Sequence, residues 1–278
     1  MKPAPFDYVR ASTVDDAIRT LDEADGDGKI IAGGQSLMPV LAMRMSRPSI
    51  LVDVNRIPGL STIDVRGDSV RIGALVRHVD LVRQDEVPLL SAAAKWIGHP
   101  AIRSRGTFGG SLAHADPSAE LPVVVAALDG VIHVTGPDGA RDIPASEMFV
   151  GTMESSLEEL EMVTRVTLPL PELWGFTELS RRHGDFGLVT VCAATVDGSW
   201  RIAVGGVGGV PHRATGAERV LDEGTVTDER IDEAARAAAD GIAIPDEDAP
   251  GARYSRAMTE QFTRRAVARA VASARTGG

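Results

Sequence analysis

Two stretches of this chain pair adjacent glycines with hydroxyl and amide side chains: KIIAGGQSL from Lys29 to Leu37, and TFGGS from Thr107 to Ser111. Adjacent glycines reach positive φ and let a ligand approach the backbone closely. Successive N–H groups in such a turn form a small anion-binding concavity. Gln35, Ser36, Thr107 and Ser111 would add side-chain hydrogen bonds to it. One Gly-Gly pair after an apolar strand end such as Ile30-Ile31 reads first as a tight turn. Two such pairs favour a divided cradle for a diphosphate. Neither glycine turn contains lysine, and no G-x-x-x-x-G-K-[ST] occurs, which argues against a nucleoside-triphosphate loop. No G-x-G-x-x-G opens a helix, so a Rossmann-type dinucleotide site is not supported.

The elements that position these turns follow from periodicity. Phe6 to Val9 starts extended, and Ser12-Thr13-Val14-Asp15 resembles a capping box before the helical stripe Val14, Ala17, Ile18, Leu21. A strand then enters Gly33-Gly34, so the chain begins strand–helix–strand. Leu37 to Met45 reads as a helix or turn, Ile50 to Val54 as a strand, and Thr62 to Val65 with Ser69 to Gly73 as a hairpin. Val76 to Arg83 and Pro88 to Trp96 read as helices, and Ile97 to Glu120 as a long irregular connection around the second glycine pair. A helix from Leu121 to Leu128, strand structure around Val131 to Val134, and a strand from Leu160 to Leu168 follow. A boundary falls near Pro171. Beyond it, Trp174 to Arg181, Leu188 to Val196 and Trp200 to Val207 predict three antiparallel strands. Gly205 to Gly209 reads as a flexible link, and Glu229 to Ala239 and Ser255 to Ala274 as helices.

With 278 residues and 44% apolar content the chain can bury a large core, enough for two units. A net charge of -10 argues against a nucleic-acid or anionic-membrane partner. No apolar run is long enough for an integral membrane segment, and the start lacks a signal-peptide core, which points to the cytoplasm. Cys192 is the only cysteine, so no disulfide or iron–sulfur site forms within the chain; in LVTVCAATV it reads as a buried thiol, with a nucleophile as the alternative. His78, His133 and His212 are isolated and read as surface or strand residues, and His183 as part of a charged turn. His99 and His114 flank the second glycine pair, where they could contact a cofactor or a partner. No metal-ligand spacing and no Ser-His-Asp arrangement stands out.

AGGQSLMP and TFGGSLAHADPSAELP, within a framework of FDYVRASTVDDAI, SRPSILVDVNRIPGL, RRHGDFGLVTVCA and GGVGGVPHRA, resemble the FAD-binding medium subunit of molybdenum hydroxylases, the xanthine dehydrogenase and carbon monoxide dehydrogenase family. The resemblance implies an α+β fold: a vanillyl-alcohol-oxidase-type (PCMH-type) FAD-binding domain of two α+β subdomains, then a three-stranded antiparallel sheet with helices. It implies domains at residues 1–172, split near 58, and 173–278. It also implies cofactor-binding residues: Ile31, Ala32, Gly33, Gly34, Gln35, Ser36 and Leu37 in the first turn, and Thr107, Gly109, Gly110, Ser111 and Asp116 in the second. Ile97 stands where relatives often place an aromatic beside the flavin, Glu120 where they usually have Asp, and Val163 at an apolar position contacting through its backbone. Where some relatives carry lysine near the flavin, this chain has Thr177 and Glu178. The partners implied are a large molybdopterin subunit and a small subunit with 2Fe-2S clusters, assembled as a dimer of heterotrimers. The chemistry implied is electron transfer through FAD, with no catalytic acid or base needed here. A stand-alone FAD oxidoreductase and a non-redox nucleotide-binding scaffold are the rival readings.

Overall fold

In the computed structural model, which describes residues 2–244 and 251–273, the first sheet grows from the strand–helix–strand start. β1 (Asp7–Arg10), α1 (Val14–Glu23), β2 (Gly28–Ile31), α2 (Leu37–Ala42) and β3 (Ile50–Asp53) follow in order. The strands lie β1-β3-β2 and are parallel, so Val52 of β3 faces Val9 on one side and Ile30 on the other. Parallel neighbours need crossovers, and α1 and α2 provide them. The cap of α1 is shifted by one residue from the expected box. Thr13 accepts the Asp16 N–H at 3.0 Å, and Asp16 accepts the Ser12 N–H at 2.9 Å. Asp16, not Asp15, is the side chain that reaches back.

The second sheet is antiparallel. A hairpin of β4 (Ile63–Arg66) and β5 (Ser69–Gly73) turns at Gly67, whose φ is +59°. Five helices follow: α3 (His78–Val82), α4 (Pro88–Ala94), α5 (Pro100–Arg103), α6 (Phe108–His114) and α7 (Glu120–Ala127). A second hairpin, β6 (Val131–Gly136) and β7 (Gly139–Pro144), leads through α8 (Ala145–Met148) and the ribbon β8 (Phe149–Gly151) and β9 (Glu154–Ser155) to β10 (Met162–Pro169). β10 fills the centre of the order β4-β5-β10-β6-β7. Ile97 to Glu120 is therefore not the irregular connection expected from sequence. It holds α5 and α6 and ends at the first residue of α7.

The third sheet is built from β11 (Trp174–Leu179), β12 (Val189–Val196), β13 (Ser199–Gly205) and the two-residue edge strand β14 (His212–Arg213). The three long strands match the expected ones, and β14 adds a short fourth. α9 (Thr215–Asp222), α10 (Asp228–Gly241) and α11 (Ala252–Ser273) cover one face; the expected end of α11 at Ala274 lies outside the described residues. α11 sits so close that a Cβ on Gly175 would collide with the Ala266 carbonyl oxygen. The other face packs on α7, all eight of whose residues are buried. The glycine run expected as a flexible link is anchored instead, with the Gly206 N–H donating to the Pro117 carbonyl at 2.9 Å. Among the described residues no helix is long and apolar enough to cross a membrane.

Candidate functional site

Where the loops of the three sheets converge, they enclose a cleft of about 1150 Å³. That exceeds the roughly 300–1,000 Å³ of an ordinary small-ligand site, and it suits an extended dinucleotide. The first wall is the turn between β2 and α2. Ala32, Gly33, Gly34, Gln35, Ser36 and Leu37 all line the cleft, whereas Ile31 does not; it packs behind the turn against Gly34. Gly34 has φ +71°, a conformation that glycine adopts freely. The N–H groups of Gly33, Gly34, Gln35 and Ser36 donate to nothing among the described residues. They are unpaired, as an anion-binding concavity of the kind expected from the glycine pair requires.

The second wall is different in kind. Thr107 caps α6, and its hydroxyl accepts the Gly110 N–H at 3.3 Å. Phe108 N–H donates to the Val76 carbonyl at 2.9 Å and Gly109 N–H to the Ala74 carbonyl at 2.9 Å. Ser111 N–H is taken by the Thr107 carbonyl at 3.1 Å. These amides are already occupied, so this turn offers hydroxyls and clearance more than free N–H donors. A Cβ on Gly109 would lie 2.6 Å from Ala74 Cβ, so glycine lets α6 start flush against the strand end after β5. Thr107, Gly109, Gly110, Ser111, Ile97, Asp116, Glu120 and Val163 all line the cleft.

The two turns touch. A Cβ on Gly33 would collide with the Arg105 carbonyl oxygen, so only a glycine lets the first turn close on the second. Asn55 donates to the Ala32 carbonyl at 2.8 Å and accepts from the Arg77 guanidinium at 2.6 Å, and Arg77 in turn donates to the Arg105 carbonyl. His78 lies beneath the second turn, with Nε2 3.0 Å from the Thr107 carbonyl oxygen and 3.0 Å from Ser111 Oγ. The expectation that His78 is a surface or strand residue is corrected: it is 4% exposed and lines the cleft. Burial pushes its pKa down to about 4, assisted by the charges of Arg77 and Arg103, so the ring is neutral. Sequence reading missed Asn55, Arg77 and His78 because their partners lie 22 to 33 residues away.

The third wall comes from the turn between β11 and β12. Arg181, Gly184, Asp185, Phe186 and Leu188 line the cleft, and Phe186 is 74% exposed at its mouth. This turn is docked by its histidine: the His183 ring tilts against Trp96 with centroids 5.3 Å apart. His99 lies directly under Gly184, and both His99 and His114 line the cleft.

Two acidic side chains are buried at the back of this wall. Glu120 is 7% exposed and Glu178 5%. Burial, and then the neighbouring Asp116 charge, push Glu120 up to about 7. Burial, and then the Glu120 charge, push Glu178 up to about 8, partly offset by the Thr190 hydroxyl. Thr190 is the cross-strand partner of Glu178. No cation pairs with either carboxyl among the described residues. Cys192 is buried, and its thiol is pushed up to about 12, so the buried-thiol reading stands over the nucleophile. Among the described residues no group of His, Cys, Asp and Glu is placed to hold a metal ion.

The free amides of the first turn, the hydroxyls of the second and the size of the cleft fit a flavin dinucleotide. Comparison with known proteins agrees. Residues 4–171 match the family described as the FAD binding domain in molybdopterin dehydrogenase, and residues 174–270 the CO dehydrogenase flavoprotein C-terminal domain. The 6-hydroxypseudooxynicotine dehydrogenase complex subunit alpha of Paenarthrobacter nicotinovorans is 43% identical, over 99% of this chain and 97% of that protein. The carbon monoxide dehydrogenase medium chain of Hydrogenophaga pseudoflava is 35% identical, over 96% and 97%. Among solved structures, quinoline 2-oxidoreductase from Pseudomonas putida 86 superposes with TM-score 0.92 at 33% identity, covering 99% of both chains. This chain belongs to the family of FAD-binding medium subunits of molybdenum hydroxylases, and is an oxidoreductase subunit.

Proposed function

We propose that this chain is the electron-transfer subunit of a heterotrimeric molybdenum hydroxylase, taking electrons from iron–sulfur clusters of a small partner and passing them to an external acceptor. The FAD supplies the redox chemistry when bound, and the chain supplies position and electrostatics. The observation that carries this reading is the pair of glycine turns closed on one large cleft, one with free amides and one with hydroxyls. Ala32 to Ser36 would hold the diphosphate from one side, and Thr107, Gly110 and Ser111 from the other. Ile97 and Val163 would give the flavin an apolar seat, and Glu120 a polar contact. The buried thiol of Cys192 is suited neither to nucleophilic attack nor to metal ligation, in keeping with a subunit whose clusters lie elsewhere.

In this reading residues 1–172 form the FAD domain, divided near 58, and residues 173–278 the C-terminal domain. The complex is a dimer of heterotrimers whose large subunit holds the molybdopterin. Relatives named for carbon monoxide, nicotine and caffeine share this one framework, so substrate choice belongs to the large subunit. The purified chain should show a flavin absorption spectrum and no hydroxylase activity until its partners are added. Gly34→Val and Gly110→Val should each abolish the flavin bands, and full flavin binding in both would overturn the reading.

A further inference from the structure

We propose that Arg77 and His78 form a clasp whose task is to position the two turns against each other and to leave the Ser111 hydroxyl hydrogen free for the diphosphate. This rests on the FAD reading above. The segment from Val76 to His78 lies along the second turn as a splint. His78 N–H donates to the Gly106 carbonyl at 3.0 Å, the Phe108 N–H to the Val76 carbonyl at 2.9 Å, and Arg77 bridges to Thr107 in an antiparallel pair. The side chains then divide the work. Arg77 points toward the first turn, where its guanidinium holds the Asn55 amide that binds the Ala32 carbonyl, while it also grips the Arg105 carbonyl. One side chain therefore spans both walls at the place where Gly33 meets Arg105.

His78 points along the second turn. The Thr107 carbonyl can only accept, so Nε2 must carry the ring proton to satisfy it. Ser111 Oγ, 3.0 Å from the same nitrogen, is then an acceptor, and its own hydrogen is left to donate into the cleft. Nδ1 is left as a bare acceptor, buried with no partner. It is closed off by Gly106, where a Cβ would lie 2.6 Å away. The ring thus stays neutral, and one tautomer fixes the direction of the Ser111 hydroxyl. His78 acts through Ser111 and Arg77 through Asn55; both are positioning residues.

The test uses the full chain, with FAD affinity and release rate followed by flavin fluorescence, and ADP as a probe of the diphosphate half alone. His78→Gln keeps an N–H donor near the Nε2 position and should hold FAD close to wild type. His78→Leu should weaken FAD and ADP about tenfold alike, through faster release. Ser111→Ala should cost a similar factor, and the double variant should cost little more than either single one, because the histidine acts only through the direction it gives that hydroxyl. Arg77→Met should also weaken ADP. Equal affinity in His78→Leu and wild type overturns the clasp, as does full additivity of His78→Leu with Ser111→Ala. A loss of flavin-free thermal stability with unchanged ADP affinity would show His78 to be merely structural. A wild-type chain that binds no FAD overturns the cofactor reading itself.

Discussion

Replacing Glu178 with Gln should make the folded chain more tolerant of alkaline pH, and the reasoning can be worked through with numbers. In the unfolded chain this carboxyl loses its proton near 4.5; in the folded protein burial and the Glu120 charge hold the proton until about 8. Between those values the folded state binds more protons than the unfolded one, so stability falls as pH rises. The favourable situation is fully present below 4.5 and lost by the time pH passes about 8. At about 1.4 kcal/mol per pH unit, the ceiling on this loss is about 5 kcal/mol, reduced by whatever water or rearrangement reaches the ionised group. Gln has no proton to lose. Glu178→Gln should therefore match wild type near pH 5 and exceed it by about 2 kcal/mol or more at pH 8.5. Urea unfolding of the flavin-free chain, followed by tryptophan fluorescence, reads the difference directly; Trp96, Trp174 and Trp200 all report. Parallel stability profiles for the two proteins from pH 5 to 8.5 would refute the picture of a neutral buried acid.

Three other outcomes follow from the packing. Gly175→Ala should drive β11 off α11, because the new Cβ meets the Ala266 backbone, and should cost about 2 kcal/mol or more in a thermal melt. Cys192 should be inert to a thiol-specific reagent in the native chain and react only on unfolding; prompt labelling would contradict its burial. Arg213 donates to Glu218 at 2.8 Å and to the Ala126 carbonyl at 3.2 Å, and also pairs with Asp129. Arg213→Ala strands the buried Glu218 and should lower stability by about 3 kcal/mol, measured by denaturant unfolding.

Local chemistry was readable in the sequence, and long-range chemistry was not. The two hairpin turns at Gly67 and at Asp197-Gly198 announced themselves through residues that tolerate positive φ, and the structure has them there at +59°, +50° and +72°. The first glycine turn was visible for the same reason, with Gly34 at +71°, whereas Gly109 and Gly110 take helical backbone and serve close packing. The helices α5 and α6 were hidden because they run for four and seven residues, too short to display a 3.6-residue period. The cap of α1 was misplaced because Ser12 and Thr13 are equally able caps, and Asp15 and Asp16 equally able partners. His78 looked isolated because Thr107 and Ser111 lie 29 and 33 positions further on. The acid pair escaped notice because Glu120 opens a helix while Glu178 lies far along the chain, in a strand of the sheet that this helix packs on. Only the fold makes them neighbours.

The burial of α7 on every side has a consequence for recombining this chain with its relatives. The two family matches abut between residues 171 and 174, which invites a crossover there. Yet α7, well before that point, is clamped from beyond it. Arg213 holds its Ala126 carbonyl, Gly206 holds the Pro117 carbonyl, and Gly205 leaves the room that Val123 occupies. A chimera joined at the seam would keep one parent's helix against another parent's sheet, with no solvent-facing side to absorb a mismatch. The unit that can be exchanged intact is the C-terminal sheet together with the residues of α7 that it covers.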